Sequence, residues 1–298
     1  MTTHRIAVMY DRGWEPEGLT GFARAVEELG VEELWVVEDL GWAGAMSSVG
    51  AALAATGRLR LGIGIAPAPL RNPVLLAMEL AALARMFPGR VTAGIGHGVA
   101  EWMAQVGSAP TSTMARLEET VTAVRGLLRG EEVTLHGREV RLDAVRLVHP
   151  PRVVPPVVVG AVGPRTLALS GRIADGTVMD EGHGPDEVAA ALAHIGKGRA
   201  DRTDADRADA DRASSGLNVL TFLCVDEDPA ALPRALAVQA PWLTGPLDAV
   251  HAAAGTAAQA AATVRELWAA GVDTVVLRPL GPEPLAQLAA VHEQLAGG

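Results

Sequence analysis

Eight short apolar runs, each separated from the next by a longer stretch, constrain this chain of 298 residues more than any other feature. They lie at 5–10 (RIAVMY), 33–37 (ELWVV), 60–66 (RLGIGIA), 91–96 (VTAGIG), 156–162 (PVVVGAV), 176–180 (GTVMD), 218–225 (NVLTFLCV) and 274–280 (TVVLRPL). The runs are rich in β-branched residues and nearly continuous, the pattern of strands covered on both faces, as in a parallel sheet. The stretches between them have helical spacing. Leu19, Phe22, Ala23, Val26 and Leu29 share one helix face, and Pro73 opens another helix at its first turn, where its missing N–H is harmless. Eight strands alternating with helices predict an α/β fold, a (β/α)8 TIM barrel, with a doubly wound sheet as the alternative.

A single domain over residues 1–298 accommodates this pattern, with insertions after strands 4 and 6. The first, 132–143, reads as a polar hairpin turning at His136-Gly137. The second, 200–214, repeats ADRTD, ADRAD and ADRAS; its alternating charge offers almost nothing to bury, so it reads as a solvated helix extension or linker.

Composition removes several function classes. A formal charge of −10 argues against a general nucleic-acid binder, which needs a basic face. Only 3% of residues are aromatic, leaving few rings to stack on bases. One cysteine, Cys224, excludes a disulfide framework and a thiolate zinc site, and no HxH or HExxH spacing marks another metal centre. Neither a leader nor a membrane-spanning run is apparent, so a soluble cytoplasmic protein is expected.

In a barrel the chemistry gathers where strands end. Those ends carry Tyr10-Asp11-Arg12, Glu38-Asp39 with Trp42, Gly64-Ile65-Ala66 followed by Arg71, Gly96-His97-Gly98 with Glu101 and Trp102, then Asp180, Glu181 and His183, and finally Arg278. His97 between two glycines points to an imidazole facing a ligand. The sharpest local signal is Gly160-Ala161-Val162-Gly163 running into Pro164-Arg165-Thr166. Backbone amides at a glycine-rich turn before a helix make an anion site suited to phosphate, and Arg165 and Thr166 add donors. This is neither GxGxxG nor a P-loop.

The segments ELWVVEDLGWAGAMSSVGAALAAT, RLRLGIGIAPAPLRNPVLLAMELAAL, GRVTAGIGHGVAEWM and PVVVGAVGPRTLALSGRIADG together resemble the bacterial-luciferase-like superfamily. They are most similar to its branch related to methylenetetrahydromethanopterin reductase, which uses the deazaflavin coenzyme F-420. The resemblance implies a coenzyme across the barrel mouth, backed by a non-prolyl cis peptide at Gly64-Ile65, with its phosphate on Gly160-Ala161-Val162-Gly163. It also implies a pocket lined at Gly96 and Gly98, and an acid near the reacting ring at Glu38 or Asp39. Relatives often place a histidine after that acid; here Leu40 follows. The branch tends to form homodimers through the helices after strands 2 and 3.

These expectations describe an oxidoreductase that moves a hydride between F-420 and a small organic substrate, most readily in C=C or C=N reduction. Glu38, Asp39 or His97 would supply the proton, and a carboxyl beside an apolar ring would be pushed towards its neutral, donating form. Trp42, Arg71, Glu101, Trp102, Asp180 and Arg278 would line the substrate pocket. Arg12, Arg71, Arg165 and Arg278 would form a basic rim for the coenzyme's anionic tail. The alternatives are an FMN-dependent monooxygenase fed by a partner flavin reductase, and a non-catalytic binding protein on the same fold.

Overall fold

The computed structural model describes residues 4–202, 216–243 and 246–297. Eight parallel strands close on themselves: β1 (Arg5–Met9), β2 (Glu33–Val36), β3 (Arg60–Ile63), β4 (Val91–Gly96), β5 (Val157–Gly160), β6 (Gly176–Met179), β7 (Gly216–Val225) and β8 (Thr274–Pro279). Closure runs through β6 and β7, where Asn218 pairs with Val178, and through β8 and β1, where Val275 pairs with Ile6. The fold is therefore the barrel and not the open doubly wound sheet. Among the described residues, no helix is long and apolar enough to cross a membrane.

Two layers of core follow from strand alternation, since successive side chains point to opposite faces. Outward residues such as Val8, Leu34, Leu61 and Val159 pack under the helices, with Leu76 and Leu80 of the helix Pro73–Met86 in the same cluster. That helix begins as its sequence predicts: Pro73 sits in the first turn and the Asn72 side chain caps it, accepting the Val74 N–H at 2.9 Å. Inward residues form a smaller cluster of Ala7, Met9, Trp35, Val158, Val178, Leu220 and Val276.

Strand β3 contributes no bulk to that interior, and the reason is Trp35. A Cβ at Gly62 would lie 2.3 Å from the Trp35 ring, and one at Gly64 would lie 2.9 Å from it. One large ring from β2 thus fills the space that the neighbouring strand leaves as glycine, a large-against-small arrangement that keeps the interior dense.

The hairpin pairs Val133–His136 with Arg141–Val145. Its reversal runs through 137–140, later than the His136-Gly137 turn predicted. The cause is Glu119, whose carboxylate accepts the N–H groups of Arg138, Glu139 and Val140 at 2.7–2.8 Å. Of the charged repeat, Ala200 closes the helix Pro185–Ala200, and Arg202 donates to the Gly171 carbonyl at 2.7 Å. Residues 203–214 of it lie outside the described residues.

A second carboxylate staples the floor of the barrel. Glu27, on the helix Leu19–Glu28, accepts from the amides of Arg58 (2.6 Å), Gly57 (3.0 Å) and Leu59 (2.8 Å). These bonds, that from Arg58 foremost, hold its pKa down at about 2, against an ordinary 4.5. A depressed carboxylate stabilises the fold fully above its unfolded value and loses that contribution as pH falls through the folded one.

Two outcomes follow. In urea unfolding at successive pH values, the native chain should lose more stability between pH 4.5 and about 2 than Glu27→Gln does; parallel acid limbs would show that the staple is absent. Gly62→Ala should cost about 2 kcal/mol or more in the same assay, because Trp35 is fully buried and has nowhere to retreat. A neutral substitution would mean that the interior is loosely packed.

Candidate active site

Beyond Ile63 the chain leaves β3, passes through Gly64 and Ile65, and resumes as a two-residue strand, Ala66–Pro67, that pairs with Ile95 and Gly96 of β4. The Gly64–Ile65 peptide bond is cis. The Ile65 side chain packs on the interior cluster and lies over glycines of the two following strands. A Cβ at Gly96 would lie 2.8 Å from Ile65 Cγ1, and one at Gly160 would lie 3.0 Å from its Cγ2. Glycine at those positions is what lets Ile65 roof the barrel and become the floor of a cavity above it.

That cavity has a volume of about 370 Å³. One wall is the glycine turn after β5, which ends at the N-terminus of the helix Pro164–Ile173. Gly163 is the N-cap, so no side chain answers the first-turn amides, and a Cβ built on it meets nothing within 4 Å. Open space beside uncapped amides at a helix N-terminus is the geometry that suits an anion.

The structure brings together Asp39, Gly64, Ile65, Gly96, His97, Gly98, Trp102, Gly160, Ala161, Val162, Gly163, Thr166 and Asp180 around this one cavity. Pro67, Val99, Val178, Met179 and Leu220 also border it and were not anticipated. Leu220 and Val178 were legible only as strand interiors; they belong to the inner cluster and also border the cavity.

Other candidates stand elsewhere. Ala66 is buried in its strand pair beside β4, Glu101 is exposed on the helix Ala100–Gln105, and Arg165 is exposed in the first turn of its helix. Trp42 stands behind the wall, its ring 5.8 Å from that of Trp102. Glu38 is buried and turned away from the cavity: its oxygens accept from Arg71 at 2.5 and 2.9 Å and from the Ala45 amide at 3.3 Å. The apolar surroundings expected of a donating carboxyl are replaced by a guanidinium at Glu38, and likewise at Asp39, which pairs with Arg12.

The basic rim also differs from expectation. Arg71 is held between Glu38 and Glu79, each at 2.5 Å. Arg278 is buried and donates to Asp11 (2.7 Å), Glu181 (2.8 Å) and Gln239 (3.1 Å). Arg12 lies against Asp39 and three tryptophans. Buried or half-buried guanidiniums cannot stand unpaired, and the carboxylates that satisfy them close them to an incoming anion. Arg165 alone of the four has no ion-pair partner among the described residues.

Two histidines near the mouth are pushed in opposite directions. Burial lowers the pKa of His97, against an opposing hydrogen bond with the Thr113 backbone, so the ring favours its neutral form; its Nε2 lies 3.2 Å from Thr166 Oγ1. His183 is raised, chiefly by its 2.7 Å hydrogen bond to Asp180. A larger cavity of about 980 Å³ opens outside the barrel beside Cys224, but its Asp228 is engaged by the Ala230 amide and Arg234, and it is remote from the glycine turn.

A family model described as luciferase-like monooxygenase matches residues 1–294. The chain belongs to that family. Among curated members it is 26% identical over 182 residues to a 5,10-methylenetetrahydromethanopterin reductase of Methanolobus tindarius, covering 61% of this chain and 56% of that one. It is 33% identical over 182 residues to an F-420-dependent glucose-6-phosphate dehydrogenase of Nakamurella multipartita, covering 57% and 54%. The chain thus spans about half the length of these relatives. Solved structures share the fold. An F-420-dependent secondary alcohol dehydrogenase with an F-420-acetone adduct superposes with a TM-score of 0.83 at 20% identity, over 99% of this chain and 98% of that one. A coenzyme F-420-dependent tetrahydromethanopterin reductase from Methanopyrus kandleri gives 0.83 at 18% identity, over 99% of both.

In an NMR titration of the histidine ring protons, we expect His97 to titrate below 6.5 and His183 above it. The reverse order would show that His97 is neither buried nor held as described.

Proposed function

We propose that this chain is an oxidoreductase that transfers a hydride between coenzyme F-420 and a small organic substrate, in the sense of C=C or C=N reduction. The observation that carries this reading is the cavity itself: an Ile65 floor bared by glycines on two neighbouring strands, beside a helix N-terminus with no side-chain cap. A flat ring needs such a floor, and a phosphate tail needs such a terminus. The F-420-dependent glucose-6-phosphate dehydrogenase relative supports the same cofactor.

Bound in this cavity, the reduced coenzyme would supply the hydride from C5 of its deazaflavin ring. The protein's own work is binding, orientation and proton handling. The amides of Gly163, Arg165 and Thr166, with the Thr166 hydroxyl and the exposed Arg165 side chain, would hold the phosphate. Gly96, Gly98 and Gly160 would let the ring approach the backbone. Asp39 borders the cavity and is oriented by Arg12, which makes it the acid–base group we favour over Glu38, whose contacts suit a structural anchor for Arg71. His97, neutral and bonded to Thr166, would position the phosphate-side helix.

We assign the barrel as a single domain over 1–298 and the active form as a homodimer. Leu75, Met78 and Met86 are exposed along one side of the helix Pro73–Met86, near the small exposed residues Ala51 and Ala54 of the helix Ala45–Ala55. An apolar stripe of this kind suits burial against a second copy.

Titration of the purified protein with F-420, followed by coenzyme fluorescence, tests the reading, with FMN titrated in parallel. We expect saturable F-420 binding, weakened about fivefold or more by Arg165→Glu through charge repulsion at the phosphate. Binding of FMN alone, with oxygen-dependent turnover, would make the chain a monooxygenase that needs a reductase partner. Binding of neither would leave a non-catalytic barrel.

A further inference from the structure

Among the described residues, three arginines stand at strand ends around the cavity without lining it, and each is already engaged. Arg71 lies between Glu38 and Glu79, and Arg278 between Asp11 and Glu181. Arg12 pairs with Asp39, and its guanidinium carbon lies 4.8 Å from the ring centre of Trp42 and 4.7 Å from that of Trp242. Asp180 adds a further carboxylate at the cavity edge, opposed by His183. Among the described residues, carboxylates outnumber cations in this shell. The chain's one lysine, Lys197, lies on the outer helix Pro185–Ala200.

The electrostatic consequence is direct. A free arginine at a pocket mouth is a receptor for phosphate or carboxylate, through its fork of N–H donors. Here an arriving anion would have to displace a resident carboxylate and would enter a region of negative potential. Arg165 lacks an ion-pair partner among the described residues, but it stands at the glycine turn, on the side assigned to the cofactor phosphate.

Arg12 has a second effect. Its cation sits among indoles from three separate places: Trp42 after β2, Trp102 after β4, and Trp242 beyond the helix Ala231–Gln239. Trp42 lies 5.8 Å from Trp102 and meets Trp242 edge to face at 6.5 Å. Attraction between a guanidinium and the faces of these rings draws them into one wall. Trp102, Val99 and Val162 border the cavity, backed by Trp42 and Trp242, which are 39% and 49% exposed, so the surface offered to a substrate is apolar.

We propose that the Arg12–Asp39 pair, clamped by Trp42 and Trp242, makes this a site for uncharged, apolar substrates and shuts out phosphorylated and carboxylated ones. Arg12 and the two tryptophans are the specificity-determining residues. The inference rests on the oxidoreductase reading above for the place where the second ligand sits.

The test uses matched probes: benzaldehyde and 4-methylbenzaldehyde against 4-carboxybenzaldehyde, with glucose 6-phosphate as a phosphorylated probe. Binding is read by saturation-transfer NMR on the full chain, with and without oxidised F-420. We expect the neutral aldehydes to bind at least about tenfold more tightly than the carboxylate, and glucose 6-phosphate not to compete. Asp39→Asn removes the counter-charge of Arg12 and should shrink that preference about fivefold or more, while Trp242→Ala should weaken the neutral aldehydes. A carboxylate that binds as tightly as its neutral partner, competition by glucose 6-phosphate, or no binding by either neutral aldehyde overturns the proposal. Loss of F-420 binding with the neutral preference intact would instead overturn the cofactor reading and leave this one standing.

Discussion

The geometry of the mouth depends on the absence of side-chain carbons at a few strand positions. Hydrogen in place of Cβ at Gly62 and Gly64 admits the Trp35 ring to the barrel interior, and hydrogen at Gly96 and Gly160 admits Ile65 above it. Each large side chain fills the space left by glycines on adjacent strands. With the interior sealed by Trp35 and Ile65, any ligand must rest on top, against Ile65 and the backbone of the neighbouring strands. The same replacements that pack the core therefore fix the depth and the flat floor of the site.

Charge at the mouth follows a related logic. Guanidinium groups at the ends of barrel strands are half-buried by the loops around them, and burial forces them to find carboxylates. Arg71 and Arg278 thereby become struts that tie loops to one another, Arg278 joining the end of β8 to Asp11 after β1 and Glu181 after β6. Arg12 is the variation, because its partners include rings as well as a carboxylate. A mouth built this way is rigid and polar in its frame, while the surface it shows to a ligand is apolar.

The barrel was legible in the sequence because strands buried on both faces leave continuous β-branched runs, and all eight appear where those runs fall. The uncapped helix start after β5 was equally legible, since glycine, proline and polar donors at 160–166 are local chemistry. Pairing was not. Arg278 and Asp11 are separated by 267 positions, and nothing local distinguishes a strut from a free cation, so Arg12, Arg71 and Arg278 read as a basic rim. Trp242 escaped notice because it lies in an alanine-rich stretch with no motif around it, and only the fold brings it to Arg12. The hairpin turn was misplaced for the same reason, as Glu119 acts on it from a helix many residues earlier.

The central claim is that a flat, phosphate-bearing coenzyme lies on Ile65 with its phosphate at the uncapped helix. Backbone amide NMR shifts recorded with and without F-420 test this most directly. The account predicts the largest changes at the Val162, Gly163, Arg165 and Thr166 amides and at Ile65, with the amides around Cys224 and Asp226 unmoved. Changes centred on that outer cavity, with the glycine turn silent, would contradict it.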